Sequence, residues 1–143
     1  MHVFQLIAIF ATTLFAGAAM YITFAEHPAR MECGMAVAAT VFRPSYRRAA
    51  VMQAGLAVLA AAAATGAWST GATVAWLAAA LLIVAVVPFT LLVMRPINKN
   101  LLDPTIDTRP DTVRRLLQRW GKLHFIRSIL SLAAAILMLA SLE

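Results

Sequence analysis

Four long apolar stretches dominate the chain, and the breaks between them fall where charge, proline or glycine arrives. The first covers about residues 3–25. It holds no charged side chain until Glu26, His27 and Arg30 close it within five residues. The others cover about 49–68, 73–94 and 123–142. Each is close to the ~20 residues a helix needs to cross a bilayer. In hydrocarbon the backbone must satisfy its own hydrogen bonds, so the pattern predicts an all-α, integral membrane four-helix up-and-down bundle, a single domain over 1–143. Ser69-Thr70-Gly71-Ala72 is a tight turn that makes spans two and three an antiparallel hairpin. The other connections, 26–48 and 95–122, are long and charged, and Pro96, Pro104 and Pro110 interrupt helix in the second. After Pro110, residues 111–119 read as a short helix with Asp111 near its start and Arg114, Arg115 and Arg119 later, as the helix dipole favours. Leu116, Leu117 and Trp120 give it an apolar face that could lie in the membrane interface before span four turns inward. Pro88, six residues before the end of span three, predicts a kink, with Thr90 placed to bond a freed carbonyl. The alanines of spans two and three, Ala60 to Ala64 above all, predict close helix packing.

Composition supports the membrane reading. Of 143 residues, 62% are hydrophobic and 13% charged, with a mean hydropathy of +0.83, whereas a soluble domain is roughly a quarter charged. The single cysteine, Cys33, excludes an intramolecular disulfide and a Cys-x-x-Cys pair, and with them the quinone-linked disulfide oxidoreductases. Cys33 reads as a small packing residue. The net charge of +6 flanks apolar spans, which points to orientation and lipid headgroups and away from nucleic acid. All twelve Lys and Arg fall on the side of the two long connections, counting Arg127 near the start of span four. The positive-inside rule then puts those connections in the cytoplasm and both termini outside, for a multi-pass protein of the cell inner membrane. Of the six acidic residues only Glu143 lies opposite. Ala16-Gly17-Ala18 imitates a signal cleavage site, but no Lys or Arg leads it and three spans follow, so the first helix is expected to be retained.

Ionisable residues at the edge of a span are costly and usually have a partner or a task. His124, Arg127, Ser128 and Ser131 recur at i, i+3, i+4 and i+7, one face of a helix. This stripe should face the bundle interior and meet Glu26 and His27. Tyr46 and Gln53, seven apart, share a face of span two, and Asn98 follows span three. All four helices thus offer polar groups at one level. Three readings fit the cluster. Glu26 and Arg127 could form a structural salt bridge. His27 and His124 could act as general base and orienting partner, with Arg127 stabilising an oxyanion. Or His27, His124 and Glu26 could hold a metal ion, although no His-x-x-His or Glu-x-x-His pair is present. The plainest reading of Glu26 and Arg30, four apart, is a marker of the water interface.

The chain resembles the anthrone-oxygenase-like family of small four-helix membrane proteins. The matching pieces are Phe15-Ala16-Gly17-Ala18-Ala19 with Tyr21, Glu26-His27-Pro28-Ala29-Arg30, Phe42, Pro44-Ser45-Tyr46, Gln53, Pro88, Thr90, Pro96, Asn98, and Trp120 with His124 and Arg127. The resemblance implies oxidation of a polycyclic phenolic anthrone to its quinone by molecular oxygen, with no cofactor beyond oxygen or with a metal ion. A base such as His27 or His124 could form the carbanion that reacts with oxygen. An apolar cavity with a few polar groups suits such a flat ligand. The expected catalytic set is His27, His124, Glu26 and Arg127. The expected substrate-binding set is Tyr21, Tyr46, Gln53, Asn98, Trp120 and Ser128. The partners are the lipid bilayer and a small aromatic or quinone-like ligand. The alternative is a non-enzymatic membrane protein that binds a lipid or quinone or supports a partner protein. A transporter fits less well, because only Glu26 resembles a coupling carboxylate and it sits at a span's end.

Overall fold

The structure is a computed structural model and describes residues 3–105 and 109–142. It is all-helical: α1 (Val3–Glu32), α2 (Met35–Ser69), α3 (Val74–Leu102) and α4 (Pro110–Ala140) are each long and apolar enough to cross a membrane. Each helix packs on its neighbours in chain order and α4 closes the ring against α1. The chain is thus an up-and-down bundle of a multi-pass membrane protein.

The turns follow from backbone freedom. Gly34 (φ 88°) breaks the chain between α1 and α2, and Gly71 (φ 105°) turns it between α2 and α3. Both angles lie in the left-handed region that favours glycine. The tight turn read at Ser69–Ala72 is therefore present. The long connections differ from the sequence reading. Residues 35–48 are the first turns of α2, and 95–102 the last turns of α3. Charged side chains there do not end the helix, because a helix satisfies its backbone whether it lies in lipid or beyond it. Likewise 111–119 is no separate interfacial helix but the start of one continuous helix, Pro110–Ala140. Arg43 ties this end together by donating to the Leu101 and Asp103 carbonyls at the C-terminus of α3. Asp103, just past that helix, accepts from the Thr105 hydroxyl and amide, which hold its carboxyl below the usual range.

Small residues set the distance between helices in the lower half, remote from the basic end. Ala8 and Ala11 of α1, Ala60 and Ala64 of α2, Ala79 of α3 and Ala134 of α4 are essentially fully buried. Large side chains such as Phe10, Val58, Leu81 and Ile136 point outward. That inversion is expected where lipid is the solvent and close packing holds the helices together.

Two helices widen into π turns, Ile22–Glu26 in α1 and Phe89–Met94 in α3. The second begins directly after Pro88, and the Thr90 hydroxyl donates to the Val86 carbonyl at 2.8 Å, as read from the sequence. The first falls on the stretch that carries Thr23 and Glu26. Both lie toward the basic end, and π turns are frequent at functional sites.

Candidate active site

The polar stripe of α4 faces the bundle interior. His124, Arg127, Ser128 and Ser131 are all buried. They form the floor of a site whose walls come from α1, α2 and α3. The π turn of α1 carries Thr23 toward α4, where its Oγ1 lies 3.1 Å from His124 Nδ1 and 2.8 Å from Ser128 Oγ. The Ser128 hydroxyl in turn lies 3.1 Å from the Ala19 and His124 carbonyls. When the single Ser128 proton goes to a carbonyl, Thr23 donates to Ser128 and accepts from His124 Nδ1–H, and Nε2 carries the free lone pair, the state a general base needs. When Ser128 instead donates to Thr23, Thr23 donates to Nδ1 and Nε2 carries the proton.

Aromatic packing holds the ring from the other side. Trp120 stacks on His124 at 4.7 Å between centroids and meets His27 at 5.1 Å. The Trp120 indole N–H donates to Asn98 Oδ1 at 3.0 Å, and Asn98 Nδ2 donates to the Tyr46 hydroxyl at 2.9 Å. One amide thus links α4, α3 and α2. His27 lies directly over Gly121. A Cβ at that position would stand 2.6 Å from His27 Nε2, so the ring keeps this place only because residue 121 has no side chain.

The charges pair differently from the sequence reading. Glu26 does not meet Arg127. Its carboxylate accepts from Arg30 Nη2 and from the Ser45 hydroxyl. Four residues of separation put Glu26 and Arg30 on the same face of α1, within one turn of each other. Yet this pair is no interface marker, because Arg30 is buried and its guanidinium lies against Phe42 and Trp120. Arg127 donates to Gln53 Oε1 at 3.0 Å and lies over the Phe15 ring. Among the described residues no group of three or more His, Cys, Asp or Glu side chains gathers as metal ligands would, so His27, His124 and Glu26 do not form the metal set considered above. The Glu26 carboxylate is directed to Arg30 and Ser45.

Three spaces surround these groups. An enclosed cavity of about 20 Å³ is walled by Arg30, Ser45, Tyr46, Gln53, Trp120, His124 and Arg127, among others. A lateral cleft of about 210 Å³ between α2 and α3 shares Tyr46, Ala50, Gln53 and Arg127 with it and continues along Ala54, Val86, Val87 and Leu91. An outer cleft of about 560 Å³ is bordered by Thr23, His27, Trp120, Gly121 and His124. The polar residues expected to meet at one level of the bundle, Glu26, His27, Tyr46, His124 and Arg127, therefore divide between spaces. Tyr46, His124 and Arg127 share the enclosed one, as do Gln53 and Trp120. His27 borders the outer cleft. Glu26 and the exposed Tyr21 border a separate groove on the α1–α2 face. Asn98 and Ser128 are buried, and Asn98 borders with Tyr46 a further cleft of about 570 Å³ along the last turns of α3. Cys33 is exposed just past the end of α1, where a small packing residue was expected. Sequence reasoning left Thr23, Arg30 and Ser45 out of the site. A hydroxyl one turn before a histidine in an otherwise apolar span was the available signal for Thr23.

Fold and site together define a four-span helical membrane protein with a polar, arginine-bearing pocket buried toward one end. Within that class the chain belongs to the anthrone oxygenase family: the family model described as "Anthrone oxygenase" matches residues 42–137. The match takes in Tyr46, Gln53, Asn98, Trp120, His124 and Arg127, whereas Thr23, Glu26, His27 and Arg30 precede it. No curated protein and no solved structure matches the chain.

Proposed function

We propose that this protein is a membrane oxygenase that converts an anthrone-like or quinone-like polycyclic phenol to its quinone with molecular oxygen. The observation that carries the reading is the pairing of an oriented, buried imidazole, His124, with a buried guanidinium, Arg127, in the walls of one cavity that a lipid-side cleft adjoins. The flat rings of the substrate enter from the bilayer between α2 and α3 and lie against Ala54, Val86, Val87 and Leu91. The reacting edge faces the enclosed cavity. His124 Nε2 removes a proton from the ring methylene, and the resulting carbanion spreads its charge onto the carbonyl oxygen. Arg127, with Gln53 and Tyr46, stabilises that oxyanion. The carbanion adds dioxygen, the peroxide takes up a proton, and loss of water leaves a second carbonyl. One anthrone and one O₂ give one quinone and one H₂O, with no further reductant.

The basic end is the cytoplasmic one in this reading, because all twelve Lys and Arg lie toward it. A C-terminal alkaline phosphatase fusion should be active in a bacterial host, and a fluorescent cytoplasmic reporter glowing at that terminus would reverse the orientation. The enzymatic reading is tested on purified protein in detergent with a panel of hydroxylated anthrones, following quinone absorbance. Formation should exceed the buffer rate for at least one of them. No acceleration across the panel would favour a protein that only binds a lipid or quinone.

A further inference from the structure

Two guanidiniums are buried in this site, and the one carboxylate that meets either of them among the described residues is half-buried. Arg30 is 5% exposed and pairs with Glu26. Arg127 is 8% exposed, and among the described residues it has no carboxylate within ion-pair distance. Its contacts are an amide oxygen and an aromatic face. An uncompensated buried ion costs several kcal/mol, so a positive charge at this depth calls for an anion.

The hydrogen-bond inventory points the same way. Arg30 Nε, Gln53 Nε2 and Arg127 Nε are buried donors without a partner. All three belong to walls of the enclosed cavity, and Gln53 is only 3% exposed. The amide of Gln53 is not reversible here, since its Oε1 must accept from Arg127. The oxygen acceptors nearby are engaged: Gln53 Oε1 by Arg127, the Tyr46 hydroxyl by Asn98, Glu26 Oε1 by Arg30 and Ser45, which leaves His124, among the described residues, as the one wall residue with an acceptor to offer, at Nε2. The cavity is therefore rich in free donors and poor in free acceptors. A water molecule there would find donors for its lone pairs but few acceptors for its protons, and it would leave the charge unbalanced. A cavity needs ~10–15 Å³ to hold one water-sized particle, and this one offers about 20 Å³. Sulfate and phosphate are several times that size, so among common anions a monatomic one comes nearest to it.

We infer that the enclosed cavity between Arg30, Gln53 and Arg127 is a binding site for a single small monovalent anion of halide size. The site is complete without any organic substrate, so it stands or falls independently of the oxygenase reading. Halide binding without anthrone oxidation would remove the enzyme and leave the anion site.

The test is thermal melting of the full-length protein in detergent, titrated with sodium bromide against sodium gluconate at equal ionic strength. Bromide should raise the Tm saturably, on the order of 5 °C at saturation, and sulfate should do no more than gluconate. Arg127→Met should lose the bromide response, while melting in gluconate no lower than the wild type, because the uncompensated charge is gone. Gln53→Leu keeps the charge and removes a donor, and should shift the bromide midpoint at least about tenfold higher, as the loss of one charge-assisted hydrogen bond does. Equal melting in bromide and gluconate would overturn the site. So would a bromide response that survives in either Arg127→Met or Gln53→Leu unchanged.

Discussion

His124→Ala should lose ~10²–10⁴ of the anthrone-oxidation rate, the usual contribution of one positioned proton-transfer group. The ring is buried, oriented at Nδ1 by Thr23 and held flat by Trp120. Among the described residues no other imidazole borders the enclosed cavity, since His27 lies on the outer cleft. His27→Ala should therefore cost less than about tenfold, well short of a full proton-transfer contribution. Initial rates on detergent-purified variants, with melting curves to verify the fold, separate the two. Full activity in His124→Ala would eliminate it as the base, and an equal loss in both variants would mean that the histidines act as one unit.

Glu26→Ala should produce the largest loss of stability. It leaves Arg30 buried against Phe42 and Trp120 with no carboxylate, beside the already uncompensated Arg127. Removing one partner of a buried pair costs ~3–5 kcal/mol, which in a chain of this size lowers the Tm by roughly 10 °C or more. Arg30→Ala should cost less, because the abandoned Glu26 side chain is 27% exposed and can be hydrated. A reversed order of the two melting temperatures would show that Arg30, not Glu26, is the member the bundle depends on.

The contrast between these two predictions marks what the sequence could convey. The four spans were legible because lipid imposes one rule on every residue: an apolar run of the right length must be a helix. The inward-facing stripe of α4 was legible because charge cannot face hydrocarbon, and the 3.6-residue period then fixes which positions share its face. Partner choice was not legible. Periodicity places Glu26 and Arg127 at one level of the bundle, but only the rotation of α1, set by the π turn at Ile22–Glu26, decides that Glu26 turns to Arg30 and Ser45 while Thr23 turns to His124. A π turn leaves no mark on hydrophobic patterning. The extent of the helices was hidden for a related reason. Charged residues at 43–48 and 95–102 look like loop when they are only helix beyond the apolar core, and Pro44 sits inside α2 without ending it. The hydrogen bonds of Asn98 to Trp120 and Tyr46, which tie three helices together, are a partner choice of the same kind.

The oxygenase claim is tested most directly by the fate of the oxygen atoms. Purified protein is supplied with a hydroxylated anthrone under ¹⁸O₂ in ordinary water, and the quinone is weighed by mass spectrometry after short incubation. The account predicts one labelled oxygen in each new quinone, formed faster than in buffer, with the second atom appearing in water. Unlabelled quinone, or a labelling rate no greater than that of buffer or of heat-denatured protein, would contradict it.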